Sequence, residues 1–81
     1  MTVRVLLFAK ARDLAGASEL ALDLPEGATV QDLRRALEAA APDLAPLSPR
    51  LHIAVNSRYA ADGDVIPPGA ELACFPPVSG G

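Results

Sequence analysis

The sequence is short of the residues on which many small folds and active sites depend. Cys74 is its single cysteine, so it can form neither an internal disulfide nor a cysteine-based metal site. Tryptophan is absent, and Phe8, Tyr59 and Phe75 are the only aromatic residues. His52 stands alone, with no second metal ligand near it in sequence. Positive charge is also scarce: 7 Lys and Arg stand against 10 Asp and Glu, a formal net charge of −3. Without a basic stripe to neutralise phosphates, nucleic acid is not expected as a partner. No apolar run approaches the roughly 20 residues that span a bilayer, so no membrane partner is expected either. Arg4, Lys10 and Arg12 interrupt the apolar start of the chain, which is unlike a secretory signal. A lone thiol suits a reducing compartment, and a cytoplasmic location is expected. No Ser/His/Asp set, phosphate loop or metal-ligand cluster is legible, so the chain is not expected to carry a catalytic apparatus or a bound metal.

What is present is one small domain of 81 residues, half of them hydrophobic, with a core of Ala, Leu and Val. A chain this short buries only about 60% of its unfolded surface, so its margin of stability is thin. Thr2 to Ala9 reads as a strand in which Val3, Val5 and Leu7 alternate with Arg4, Leu6 and Phe8. Lys10 to Gly16 reads as a helical turn or loop stopped by Gly16. Ser18 to Leu24 is a second strand, with Leu20, Leu22 and Leu24 on one face, and the short link predicts antiparallel pairing with the first. Pro25-Glu26-Gly27 is a turn.

Thr29 opens a helix, with Asp32 three residues on in a capping-box pattern. Val30, Leu33, Ala36, Leu37 and Ala40 form its apolar stripe, while Gln31, Arg34, Arg35 and Glu38 face water. Pro42 ends the helix and pushes Ala41 out of helical geometry. The segment 43–50, with Pro46 and Pro49, reads as a loop. Leu51, Ile53 and Val55 alternate with His52, Ala54 and Asn56 in a third strand. Asn56-Ser57 turns the chain, and Arg58-Tyr59-Ala60 reads as a short returning strand. Asp62-Gly63-Asp64 and Pro67-Pro68-Gly69 are turns. Ala70 to Phe75 is the last strand, with Leu72 and Cys74 opposite Ala73 and Phe75. One helix over one face of a mixed sheet predicts a two-layer α+β domain over 1–75. With the helix as crossover, the last strand lies parallel beside the first. That is the ubiquitin-like β-grasp layout.

The segment 76–81 reads as a tail. Pro76 and Pro77 lack a backbone N–H, so no sheet ladder runs through them. At about 3.1 Å per residue an extended arm of this length reaches on the order of 15–20 Å. Val78 and Ser79 are modest in bulk, and Gly80 and Gly81 have no Cβ, so the tip passes where a side chain would clash. The group on offer is the terminal carboxylate of Gly81.

Three stretches together carry a family resemblance. Phe8-Ala9-Lys10-Ala11-Arg12-Asp13-Leu14-Ala15-Gly16 resembles a Phe-Ala-x-x-Arg-(Asp/Glu)-x-x-Gly segment, Ala54-Val55-Asn56 follows mid-chain, and Phe75-Pro76-Pro77-Val78-Ser79-Gly80-Gly81 ends the sequence. The chain thereby resembles, over its whole length, the MoaD-type small subunits of molybdopterin synthase, which are ubiquitin-like sulfur carriers. It departs from them at Cys74, where that family usually has an aromatic or aliphatic residue. The resemblance implies that Gly81 is adenylated by an E1-like ATP-dependent enzyme, passing through a transient AMP adduct with no permanently bound cofactor. A sulfurtransferase then supplies the sulfur of a terminal thiocarboxylate. It further implies a heterotetramer with the large synthase subunit, which receives the tail in its active site and passes the sulfur to cyclic pyranopterin monophosphate. The chain would be the non-catalytic sulfur donor of that synthase. A carrier for thiamine thiazole or another thiolated metabolite, a protein modifier joined to lysines, and a plain interaction module are the alternatives.

Gly80 and Gly81 are thus the candidate reacting end. Phe8, Arg12, Phe75, Pro76, Pro77, Val78 and Ser79 are the candidate partner contacts. The phase of Phe8 and Phe75 sets both rings on the sheet face the helix does not cover, where exposed aromatics mark a partner surface. Arg12 is read equally as a solvated charge or as a partner for a carboxylate or substrate phosphate. Cys74 reads as a buried structural thiol rather than a sulfur carrier. His52 reads as a solvent-side strand residue, and Asp62 and Asp64 as turn residues.

Overall fold

Strand β1 (Thr2–Leu7) buries Val3, Val5 and Leu7 on one side and presents Thr2, Arg4 and Leu6 on the other. In the computed structural model residues 1–77 are described, and the expectations for Val78, Ser79, Gly80 and Gly81 lie outside them. β1 pairs antiparallel with β2 (Glu19–Asp23), setting Val3 opposite Leu22, and parallel with β5 (Leu72–Phe75), setting Leu7 beside Cys74. On its other edge β5 pairs antiparallel with β3 (His52–Val55), which continues into β4 (Arg58–Tyr59). The strand order is β2-β1-β5-β3-β4, a mixed sheet with the last strand at its centre, parallel to the first as the crossover rule predicts. Asn56 and Ser57 turn β3 into β4 with φ of 51° and 69°. Two successive positive φ values give the tight hairpin turn whose twist matches its strands.

A single main helix, α2 (Val30–Ala40), closes one face of the sheet. Thr29 caps it as expected: its hydroxyl accepts from the Asp32 backbone N–H at 3.3 Å, and the Asp32 carboxylate accepts from the Thr29 N–H at 2.9 Å. Val30, Leu33 and Leu37 point into the core against Val5, Leu7, Leu72 and Cys74. Ala40, expected on that stripe, is exposed instead. The helix ends there, and Ala41, with φ −136° and ψ 82°, leaves the helical path and is buried in its place. The two layers form the α+β, ubiquitin-like β-grasp fold expected from the element order.

Several boundaries differ from the expectation. β1 ends at Leu7 rather than Ala9, because Ala9 takes a φ of 53° and turns the chain into helix α1 (Ala9–Ala15). Gly16 stops that helix in the left-handed region at φ 72°, a conformation open to glycine without a Cβ penalty. The segment read as a loop over 43–50 contains two short 3-10 turns, Pro42–Leu44 and Ser48–Arg50, each with a proline in its first turn. Leu44 and Ser48 are buried there. Arg34, expected in water, keeps only 15% of its side chain exposed. The turns fold over it, and its guanidinium donates to the Ser48 carbonyl at 2.6 Å and to Asp62 Oδ1 at 2.7 Å.

Candidate functional site

The face of the sheet opposite α2 carries a cluster of partly exposed rings. Phe75 ends β5 and, across the antiparallel pairing, stands directly opposite His52 of β3. Tyr59 of β4 stands opposite Ala54, two residues along β3 and hence diagonal to His52, within reach of a large side chain. The three rings therefore meet. His52 and Tyr59 stack with centroids 5.3 Å apart and planes 12° apart. Phe75 lies tilted at 5.7 Å from His52 and 5.6 Å from Tyr59. These separations fall in the range in which aromatic pairs add to simple burial. Tyr59 is nonetheless 73% exposed, and Phe75 is only partly buried. An aromatic surface thus lies open on one half of the sheet.

The other half of the same face is polar. Arg4 pairs with Glu19 at 3.3 Å, and the Thr2 hydroxyl donates to Asp23 at 2.8 Å. Both contacts lie on the β1–β2 side, separated from β3 by β5.

Phe8 is placed as expected on the open side, 48% exposed. Its backbone is extended, and its N–H donates to the Cys74 carbonyl at 3.1 Å. It therefore continues the β1–β5 pairing one step and shares a face with Leu6. Among the described residues no ring pairs with Phe8 within the three-ring cluster, so the two phenylalanines share a face without joining one group. Arg12 lies exposed in the last turn of α1 with no ion pair among the described residues. Because α1 starts where β1 meets the end of β5, Arg12 sits at the end of the sheet from which the tail leaves. Pro76 and Pro77 follow Phe75 outside any strand, Pro76 partly buried and Pro77 exposed.

Cys74 is fully buried beneath this surface. Desolvation pushes its thiol up to about 11, against a weaker opposing pull from Arg34. A thiol held protonated and out of solvent is a poor nucleophile, in keeping with a structural role for Cys74. Asp64 acts within its turn, accepting the Ala61 N–H at 2.9 Å, whereas Asp62 reaches across to hold Arg34 of α2.

His52 and Tyr59 are the site residues that sequence reasoning passed over. The alternation showed that His52 faced away from the core, but its stacking depends on the register of β3 against β5, which neither stretch announces.

A family model for ThiS matches residues 5–81. The chain is 38% identical to the molybdopterin synthase sulfur carrier subunit of Arabidopsis thaliana, covering 98% of this chain and 82% of that protein. Its fold superimposes on the crystal structure of SAMP1 from Haloferax volcanii with a TM-score of 0.89 at 34% identity, both chains covered in full. A complex of subunits 1 and 2 of the molybdopterin-converting factor from Helicobacter pylori contains a chain of the same fold, with a TM-score of 0.69 at 21% identity and both chains covered in full.

Proposed function

The chain belongs to the ThiS family, and from that premise we propose that it is the sulfur-carrier subunit of a molybdopterin synthase. The observation that carries the reading is the junction at Phe75. There the central strand of the sheet, flanked by an open aromatic surface, runs straight into Pro76-Pro77 and the terminal Gly-Gly. A central strand, two prolines and a tip without Cβ atoms suit a segment that carries one carboxylate to a distant site. The relative from Arabidopsis thaliana bears the name of a sulfur carrier subunit, which accords with this arrangement.

The chemistry follows from the weakness of a carboxylate as an electrophile. ATP converts the Gly81 carboxylate to an acyl adenylate with release of pyrophosphate, on an E1-like enzyme. A sulfur nucleophile, delivered by a sulfurtransferase, displaces AMP and leaves a thiocarboxylate. The arm then enters the large subunit, where the sulfur is transferred to cyclic pyranopterin monophosphate. In this scheme the domain binds, aims and excludes, while its partners supply the catalytic groups. The pairing of subunits 1 and 2 in the Helicobacter pylori complex supports a large-subunit partner here, and a heterotetramer is the assembly we propose for the two. The open aromatic surface is the docking face, because its partly exposed rings lose water on contact while the buried strand behind them keeps its shape.

The test is intact mass after incubation with ATP, an activating enzyme and a sulfur donor, followed by conversion of the pterin precursor with purified large subunit. A mass gain matching one oxygen replaced by sulfur, together with pterin conversion, is the expected result. Sulfur acquisition without pterin conversion would point to a carrier for another metabolite. Isopeptide linkage to lysines without sulfur transfer would point to a protein modifier.

A further inference from the structure

We propose that Lys10 is an internal acceptor for the chain's own activated terminus. When no sulfur nucleophile reaches the Gly81 acyl adenylate, the Lys10 amine takes it and closes the chain through an isopeptide bond. The inference rests on the carrier reading above and gives the adenylate a second fate, set by the supply of sulfur.

Lys10 is the single lysine of the sequence. It is exposed, in the first turn of α1. The hydrogen bond from the Phe8 N–H to the Cys74 carbonyl, at 3.1 Å, sets its place relative to the tail. Lys10 stands two residues after Phe8, and successive Cα atoms are about 3.8 Å apart, so its Cα lies within about 15 Å of that of Cys74. Seven residues follow Cys74. Extended at about 3.1 Å each they span about 20 Å, and lysine adds a four-carbon stem, so the two groups are within reach of each other. The other primary amine of the sequence is the Met1 α-amine. It donates to the Leu24 carbonyl and lies at the opposite end of β1 from the point where β5 gives way to the tail. The fold therefore sets one amine, that of Lys10, beside the exit of the tail.

The step balances with ATP as its only co-reactant. The free amine attacks the acyl carbon, and the C–N bond forms as the C–O bond to the nucleotide phosphate breaks. AMP leaves with the electron pair, and the nitrogen sheds its proton to solvent. Donor and acceptor share one chain, so each meets the other at an effective concentration on the order of millimolar, the value for a short tether. Lysines of other copies, at micromolar protein, compete poorly with that. A thiocarboxylate resists the same attack, because its anionic sulfur is a far worse leaving group than AMP. Sulfur loading and closure thus compete for one intermediate. The closed chain has no free terminus and leaves the pool of carriers.

The experiment incubates the full-length chain, and the variant Lys10→Arg, with ATP and the activating enzyme, with and without inorganic sulfide. Arginine keeps the charge and is not deprotonated in proteins, so it cannot act as the nucleophile. Pyrophosphate release reports adenylation, and intact mass with peptide mapping reports its outcome. Without sulfide the parent should yield a monomeric product lighter by one water, with Lys10 joined to Gly81. The variant should release pyrophosphate as the parent does, yield none of that product, and still acquire sulfur when sulfide is present. In the parent, sulfide should replace the closed product with the thiocarboxylate. Adenylation without closure, closure that persists in Lys10→Arg, or linkage of Lys10 to a second copy would each overturn the inference and leave the carrier reading standing. Absence of adenylation in both proteins would overturn the carrier reading, and this inference with it.

Discussion

The two faces of the sheet are built from the same strands and answer to different demands. On the covered face Val5, Leu7, Ile53, Leu72 and Cys74 are almost wholly out of solvent beneath α2. On the open face the alternate residues of the same strands, Leu6, His52, Ala73 and Phe75, remain partly or fully accessible, and Tyr59 beside them is exposed. The covered face is aliphatic apart from the Cys74 thiol, and the open face gathers three rings into one group. A domain that needed only stability would have no use for the second pattern. The period of two in β5 thus separates two tasks within four residues: Leu72 and Cys74 hold the fold, and Ala73 and Phe75 meet what lies outside. A disruption of the covered face should appear as lost stability. A disruption of the open face, or of the tail that continues from it, should appear as lost function in an intact fold.

The largest effect is expected beyond the open face, at the terminus. Deleting Gly81 withdraws the carboxylate by more than about 3 Å along an extended chain. A displacement of even about 1 Å in a reacting atom can cost about a hundredfold in rate, so sulfur transfer should be abolished. A tag after Gly81 converts the acid to an amide and should be equally damaging. Gly81→Ala keeps the acid and adds a Cβ, so activity should be impaired but measurable. All three should melt like the parent protein, because a terminal tail contributes little burial. A tagged chain that acquires sulfur and supports conversion with the tag still attached would break the carrier reading.

Next come the covered residues. Leu33 and Leu37 are 0% and 1% exposed. Replacing either with alanine should cost about 2–5 kcal/mol, measured by denaturant unfolding. In a domain whose total stability is on the order of 5–15 kcal/mol, either change can leave much of the protein unfolded at 37 °C. A loss below about 0.5 kcal/mol would mean that the covered face is not what holds the domain together.

Phe75→Asp sharpens the contrast from the other side. The ring is partly exposed, so the fold should persist by circular dichroism. Binding of the large subunit should weaken by about tenfold or more, because a carboxylate would be desolvated at an apolar contact. Global unfolding would show instead that the three-ring cluster is a second core.

Much of this architecture was legible because its causes are local. The Thr29–Asp32 capping box, the stop at Gly16 and the break at Pro42 each depend on residues within one turn of chain. The parallel placement of β5 beside β1 followed from a general rule about crossovers. What escaped depends on contacts between distant segments. Arg34 reads as a solvent residue by helical period, yet the Ser48–Arg50 turn and Asp62 close over it from 14 and 28 residues away. Likewise His52 acquires its meaning from Phe75 and Tyr59 through strand register. At the candidate site, the Gly-Gly tail could be read from the order of the last residues alone, whereas the surface that accompanies it required the sheet.

The smallest expected effect concerns the start of α2, on the covered side. Asp32 is held below the usual carboxylate range, first by the hydrogen bond from the Thr29 backbone and then by that from its side chain. A carboxyl that is more acidic when folded stabilises the fold above its unfolded value, near 3.8, and loses that contribution as pH falls through the folded value. Asp32→Asn should therefore lower the melting temperature slightly at neutral pH and leave it unchanged in strong acid, where the parent carboxyl is already protonated. Thr29→Ala removes the other half of the box and should cost about 0.5–2 kcal/mol at neutral pH. With the cap gone, the Asp32 carboxylate loses the one hydrogen bond donated by the Thr29 hydroxyl but keeps the one from the Thr29 backbone N–H, so part of the pH dependence should survive in that variant. Thermal melts of the three proteins between about pH 2 and 7 decide the matter. Parallel curves for the parent and Asp32→Asn would mean that the hydrogen bonds at Asp32 contribute nothing that depends on its charge.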